Sequence, residues 1–391
     1  MDADLPLPTA WSLQLSGAEP ADAVLLACAV PLVGRVWLAC LPAGLPGRHA
    51  PRDLPATWAA SLLLGSVWIA SVAAFAGESS GLFLGIVIGV PALAATVLAA
   101  LAPAALVPRH EPEPLRASAV GRALVAAAVL ASAILAGRDR GLGAGVEALA
   151  SSCLAHAALL AARVPAFVRA LALAAVAAAV GILPSIEAEG SAALGAAGAG
   201  LGLVTWIRRG DRRGLALVAA AVLFLALTLP SGGSVALAVA IATPLGSVGR
   251  TRWRALVWSA AGLAAGVLLR SRLFDRPEPW CCGREALAQR VEPVLIGAVV
   301  LTPVIAAAVA HVRARSPWNP SGAPRGREAL VLGAAALLAL LLQALQNDTP
   351  SDPIQVGFPQ VSAASASFWV LASMAVAIGL ARALEGRPSA R

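Results

Sequence analysis

The most regular feature of this chain is a series of long apolar runs, separated by short stretches that contain Arg, Pro and Gly. Thirteen runs are long enough to cross, or nearly cross, a bilayer as helices, and no stretch between them is long enough to form a soluble domain. The sequence therefore predicts an all-α fold, a polytopic membrane helix bundle of about 13 transmembrane helices in a single domain over 1–391. The predicted spans are 22–46, 56–77, 81–108, 116–136, 142–162, 164–184, 190–207, 214–230, 232–248, 253–269, 292–312, 328–346 and 365–384.

The composition is typical of an integral membrane protein, with 59% hydrophobic residues, 13% charged residues and a mean hydropathy of +0.80. All 29 basic residues are Arg, which we interpret as the coding bias of a GC-rich bacterium. The net charge of +8 would suggest a nucleic-acid ligand in a soluble protein. Here the Arg residues lie mostly between apolar runs, so topology explains them better and we expect no nucleic-acid partner.

The distribution of charge predicts an orientation. With the N-terminus outside, the inner loops and helix ends hold 21 Arg and six acids, and the outer segments hold seven Arg and 14 acids. Because cytoplasmic loops of membrane proteins are rich in basic residues, we expect a multi-pass protein of the bacterial inner (plasma) membrane with the N-terminus outside and the C-terminus in the cytoplasm. Four acids and no base precede the first run, so no cleaved leader is expected.

Glu147 is the acidic residue that the apolar pattern places inside a predicted membrane helix. An ionisable group there is costly, which makes it a functional candidate. Two interpretations are open: a buried carboxyl that exchanges a proton, or a side chain that reaches water at the outer surface. His156, about half a helical turn out of phase with Glu147, is either a relay group or a hydrogen-bonded core histidine. Arg169 is a further candidate, although its length also allows it to reach the cytoplasmic surface.

Signatures of known enzyme classes are missing from the sequence. It contains no HExxH, no GxSxG and no CxxC pair among its five Cys, so we expect no metal and no cofactor. Two outer segments are nevertheless rich in Arg: the turn with Arg138 and Arg140, and the loop 270–292. These Arg side chains either hold an anionic lipid headgroup or pyrophosphate or are solvated charges that pair with neighbouring acids.

Two stretches resemble the antiporter-like membrane subunits of respiratory NADH:quinone oxidoreductase, most of all subunit N. The first is Gly145-Val146-Glu147 followed by Leu149 and Ser151, which is similar to the Gly-hydrophobic-Glu signature that follows a short turn in that family. The second is Trp253–Ser259, where the family reads Lys-Arg-Leu-Leu-Ala-Tyr-Ser at the start of a helix and this chain retains the Arg as Arg254. The resemblance covers residues 116–270.

That resemblance implies a membrane subunit of a respiratory NADH:quinone oxidoreductase-like complex, which contributes to or scaffolds proton translocation. Glu147 would be the proton-path carboxylate, and Arg169 stands at one position of the family's membrane lysines. The implied partners are membrane lipids and other membrane subunits of a complex. An alternative, suggested by the outer Arg residues, is a lipid-linked glycan transferase, polymerase or ligase that acts on the outer face of the membrane. A third is a small-molecule transporter.

Overall fold

The computed structural model describes residues 27–35, 37, 54–76, 119–181, 189–210, 212–227, 230–247, 250–273, 326–346 and 366–385. Besides the helical segment 27–35, this part of the chain contains ten α-helices, one 310 turn and no β-strand, so the predicted all-α fold is confirmed for it. The helices are α1 Leu54–Ala76, α2 Ala119–Arg140, α3 Leu142–Ala161, α4 Ala166–Gly181, α5 Glu189–Arg209, α6 Arg212–Leu227, α7 Pro230–Ala242, α8 Arg250–Leu273, α9 Arg327–Gln346 and α10 Ala366–Glu385, and the 310 turn is Thr243–Gly246.

Ten of the predicted spans coincide with these helices to within a few residues. The predicted spans 81–108 and 292–312 lie outside the described residues, and span 22–46 lies inside them only in part. One boundary differs in an informative way, because α2 continues through Arg138 and Arg140, which were predicted to form a turn. Gly141 alone separates α2 from α3, with a φ of 89° that favours glycine.

Contacts between neighbouring helices fix their directions in the bundle. Ser132 of α2 contacts Ser152 of α3, and these two helices are antiparallel. α3 and α5 run parallel, because contacts near the start, middle and end of α3 follow one another in the same order along α5. α5 is central: every side chain from Ser191 to Val204 is buried. A close approach of Gly202 to Gly214 sets α6 antiparallel to α5.

These directions bring most of the described Arg residues to one end of the bundle, which we call the arginine end. It carries two acids, Glu328 and Glu385, whereas the opposite end carries Asp139, Glu147 and Glu189 with four Arg. The Arg residues of the arginine end are Arg122, Arg163, Arg169, Arg208, Arg209, Arg212, Arg213, Arg250, Arg252, Arg254, Arg327 and Arg382. All of them were assigned to the inner side by the charge pattern, and the helix packing now places them together.

The N-terminal segment, residues 27–35 and 37, contradicts the predicted alternation of crossings. Trp58 donates to the carbonyl oxygen of Ala27 at 2.8 Å, and the rings of Trp37 and Trp68 lie 4.8 Å apart. In both contacts the second residue lies 31 positions after the first in the chain, so this segment and α1 run parallel. Consecutive membrane crossings run antiparallel, so this parallel packing does not agree with the prediction that 22–46 and 56–77 are consecutive crossings, and the count of about 13 crossings is not confirmed. The outside position of the N-terminus had been inferred from that alternation and no longer follows.

Three described helices are long and apolar enough to cross a membrane, judged by length and composition: Ala119–Arg138, Leu142–Ala161 and Ala366–Leu384. Three shorter apolar helices accompany them: Pro55–Ile69, Ala166–Gly181 and Gly232–Gly246. The two helices with the largest exposed apolar faces are α2 and α8, which lie at the periphery of the described bundle.

Candidate functional site

Glu147 lies inside the bundle, where α3 packs against α5. Its side chain is 5% exposed, and one carboxyl oxygen, Oε1, accepts a hydrogen bond of 2.9 Å from the hydroxyl of Ser191. Glu147 is the sixth residue of α3, which puts it about 8 Å from the start of that helix, at the end opposite the arginine end. The interpretation in which this carboxyl simply reaches water at the surface therefore does not describe its position in the folded chain.

Three more buried hydroxyl groups surround this part of α3. Ser151 donates to the backbone carbonyl oxygen of Glu147 at 2.8 Å, and Ser152 donates to the hydroxyl oxygen of Ser132 on α2 at 2.8 Å. Ser132 in turn donates to the carbonyl oxygen of Val129 at 2.7 Å. The site is thus a buried carboxyl with hydroxyl groups from three helices around it.

His156 and Arg169 are not part of this group. His156 is half-buried and follows Glu147 by nine residues, which is about 13 Å along α3 and on the other side of the helix. Arg169 is buried, so it does not extend to the surface as one interpretation expected. It lies near the start of α4, at the arginine end, which separates it from Glu147 by about 15 to 20 Å along the bundle.

The remaining Arg candidates are also spread over the molecule. Arg254 is exposed in the first two turns of α8, at the arginine end and away from the buried carboxyl. Arg138 is exposed at the opposite end, in the last turn of α2. The structure describes the backbone of Arg140 but not its side chain, and of the loop 270–292 it describes only the first four residues, which complete α8.

A second buried polar cluster, which the sequence had not suggested, joins four helix ends at the arginine end. Glu328, at the start of α9, forms an ion pair with Arg208 on α5, in which its Oε1 lies 2.7 Å from the Arg208 Nε. The same oxygen lies 4.0 Å from Nη2 of Arg382 on α10. The two guanidinium groups also donate to the last carbonyl oxygens of α3, Arg208 to Ala161 at 2.7 Å and Arg382 to Ala162 at 2.8 Å. Burial lowers the pKa of the Arg208 guanidinium, and Glu328 opposes that shift.

No protein-family model, no curated protein and no solved structure matches this chain. The chemical interpretation therefore depends on the geometry of the described residues. Within those residues, no group of three His, Cys, Asp or Glu side chains is placed to hold a metal ion.

The arrangement around Glu147 is suited to holding and passing a proton. A carboxyl can accept and release a proton without moving, and a neighbouring hydroxyl can both donate and accept hydrogen bonds. Ser191 is the third residue of α5, so this contact lies close to the end of the bundle opposite the arginine end. The adjacent Ser151 and Ser152 inside an apolar helix are the sequence signal from which this cluster could have been predicted, but the sequence analysis did not use it. Nothing in the sequence pointed to Ser191, which lies 44 residues from Glu147.

Proposed function

We propose that this chain is a multi-spanning membrane protein in which Glu147 takes up and releases a proton. In this proposal it contributes to or scaffolds proton translocation in a complex similar to respiratory NADH:quinone oxidoreductase. The observation that carries the proposal is the burial of the Glu147 carboxyl with its hydrogen bond to Ser191. A buried carboxyl is costly to keep in a membrane helix, which makes it a functional candidate.

Exposed apolar surface supports the placement in a membrane. On α2, the side chains of Val120, Leu130 and Ile134 are 68%, 57% and 67% exposed. Proteins in water rarely leave such apolar surface uncovered, whereas hydrocarbon tails cover it without penalty. We propose that the arginine end and the C-terminus face the cytoplasm of a bacterial inner membrane, because basic residues are retained on that side.

The first test of the proposed assembly is purification of the tagged chain in a mild detergent, followed by mass spectrometry of the proteins that accompany it. Subunits of an NADH dehydrogenase in stoichiometric amounts are expected. If the chain purifies as a monodisperse species without any such subunit, the proposed complex is refuted, whereas the proposed placement in a membrane is not affected.

The second test concerns Glu147 itself, in inverted membrane vesicles whose NADH-driven acidification is followed with a pH-sensitive dye. Glu147→Gln is expected to reduce the rate of NADH-driven proton translocation by on the order of a hundredfold, and Glu147→Asp to retain part of it. Arg138→Gln is the matched control at the same end of the bundle, because its side chain is exposed.

The same pair of variants tests the alternative, a lipid-linked glycan transferase, polymerase or ligase. Arg138 is exposed and Arg270 is buried at the Glu147 end, which is where an anionic lipid carrier would have to bind. If Arg138→Gln removes the function of the protein in cells while Glu147→Gln leaves it unchanged, the glycan enzyme replaces proton translocation as the better proposal.

A further inference from the structure

One face of α8 is exposed, and its composition changes along the helix. The first turns expose Arg252, Trp253 and Arg254, and the Trp253 side chain is 71% exposed. Below them lies an apolar stripe of exposed side chains, which consists of Leu256, Val257, Val267 and Leu268. The opposite face of α8 carries small residues, and it is this face that packs against α6 and α7: Ala255, Ser259, Gly262 and Gly266.

The positive charge at the top of this face extends onto the neighbouring helix. α6 and α8 run parallel, with Gly262 against Ala219, so the exposed Arg212 at the start of α6 lies at the level of the first turns of α8. Glu328, an acid at the same end, already pairs with Arg208. We call Arg212, Arg252, Trp253 and Arg254 the Arg–Trp patch.

We propose that the Arg–Trp patch and the apolar stripe together bind an anionic phospholipid of the surrounding membrane. Guanidinium groups bind phosphate oxygens through two parallel hydrogen bonds, and an exposed indole at the end of an apolar surface is typical of the headgroup level of a bilayer. From Leu256 to Leu268 the stripe is about 18 Å long, which exceeds the hydrocarbon thickness of one leaflet, about 15 Å. An acyl chain therefore has apolar surface along its whole length.

This inference gives Arg254 a role that differs from the one implied by the family resemblance. Because Arg254 is exposed and far from Glu147, it acts on the lipid headgroup and not on the proton path. The inference rests on the membrane placement in the proposed function but not on the role of Glu147. A negative result in the vesicle test of Glu147→Gln therefore does not affect the lipid test below, and the reverse also holds.

The test is native mass spectrometry of the full chain in detergent, titrated with phosphatidylglycerol and separately with phosphatidylcholine. We expect one phosphatidylglycerol to bind more tightly than phosphatidylcholine, and Arg252→Gln with Arg254→Gln to weaken phosphatidylglycerol binding at least about tenfold. Arg252→Lys with Arg254→Lys should restore most of the binding. The matched control, Arg122→Gln with Arg163→Gln, removes the same charge from two other exposed positions and should leave binding unchanged.

Three outcomes would overturn the proposal. Equal loss in the control pair would mean that only net charge matters, and displacement of the lipid by excess inorganic phosphate would indicate a site for a free anion. The third concerns a different occupant. A photoreactive benzophenone side chain in place of Val257 should form an adduct with phospholipid, whereas a crosslink to a peptide of this chain would show that another segment or a second copy covers the face.

Discussion

The carboxyl of Glu147, on which the proposed function depends, is held by a hydrogen bond from Ser191. Glu147 has the seryl hydroxyl of Ser191 at 2.9 Å inside an apolar bundle, and both side chains are buried. A buried carboxyl that lacks its hydrogen-bond partner keeps the full cost of its desolvation, so a hydrogen bond in such a place matters more than one at the surface. The contact therefore matters for stability as well as for any proton transfer.

Replacing the hydroxyl of Ser191 tests this contribution. Ser191→Ala leaves the carboxyl of Glu147 without this donor and is expected to lower the free energy of unfolding by about 1.5 to 3 kcal/mol, measured by denaturant titration in micelles. Ser66→Ala is the control, because the Ser66 hydroxyl bonds the Leu62 carbonyl oxygen of its own helix and such bonds contribute little. Equal losses of unfolding free energy in the two variants would show that the Ser191–Glu147 hydrogen bond stabilises the fold no more than a bond within one helix does.

Helices in this bundle approach closely where glycine leaves room. A Cβ added at Gly202 of α5 would lie 2.7 Å from the carbonyl oxygen of Gly214 and 2.9 Å from the backbone nitrogen of Val218. Backbone atoms cannot yield without moving the helix. At Gly195, about two turns closer to the start of α5, the nearest atoms belong to the flexible side chain of Leu225.

Substitution at these two glycines should therefore have unequal effects. Gly202→Ala is expected to destabilise the bundle by about 1 to 3 kcal/mol, since α5 and α6 must separate. Gly195→Ala is expected to have a smaller effect, because Leu225 can change rotamer. Thermal unfolding of both variants in the same detergent checks the order, and a Gly202→Ala variant as stable as the parent chain would contradict the described packing.

The elements themselves were predictable, but their partners were not. Apolar runs bounded by Arg and Pro located α3, α5 and α10 within a few residues, because burial of an apolar helix depends on its own composition. Pairing depends on residues distant in the chain. Glu328 is the first residue of a predicted span, and its position gives no sign of its binding to Arg208 and Arg382, because an acid at a helix start looks the same whether it is solvated or paired. The parallel packing of the N-terminal segment on α1 likewise had no local signal.

At the scale of the whole molecule, the Glu328 cluster holds four helix ends together. Removing the carboxylate leaves two guanidinium groups close together in a largely buried site, so Glu328→Gln is expected to cost about 3 to 5 kcal/mol of unfolding free energy. Arg138→Gln, an exposed charge at the opposite end, should change stability by no more than about 0.5 kcal/mol. Thermal unfolding compares them, and similar values for the two variants would contradict the structural role of the cluster.

The concentration of Arg residues at one end also predicts how the molecule sits in a membrane. A protease site inserted at Gly210, an exposed turn of the arginine end, should be cut in inside-out vesicles only. A site inserted between Arg140 and Gly141, at the opposite end, should be cut only in right-side-out vesicles. Cleavage of both sites from the same side would show that the bundle does not span the membrane in this direction.

The central claim is that Glu147 exchanges a proton within the folded protein, and infrared spectroscopy of the purified chain tests it most directly. The stretching band of a protonated carboxyl is followed as the pH is changed, in the parent chain and in Glu147→Gln. We expect a band in the parent chain that disappears reversibly as the pH rises, shifts in frequency in Ser191→Ala and is missing from Glu147→Gln. Identical spectra of the parent chain and Glu147→Gln at every pH would contradict the claim, because this carboxyl would then not change its protonation state.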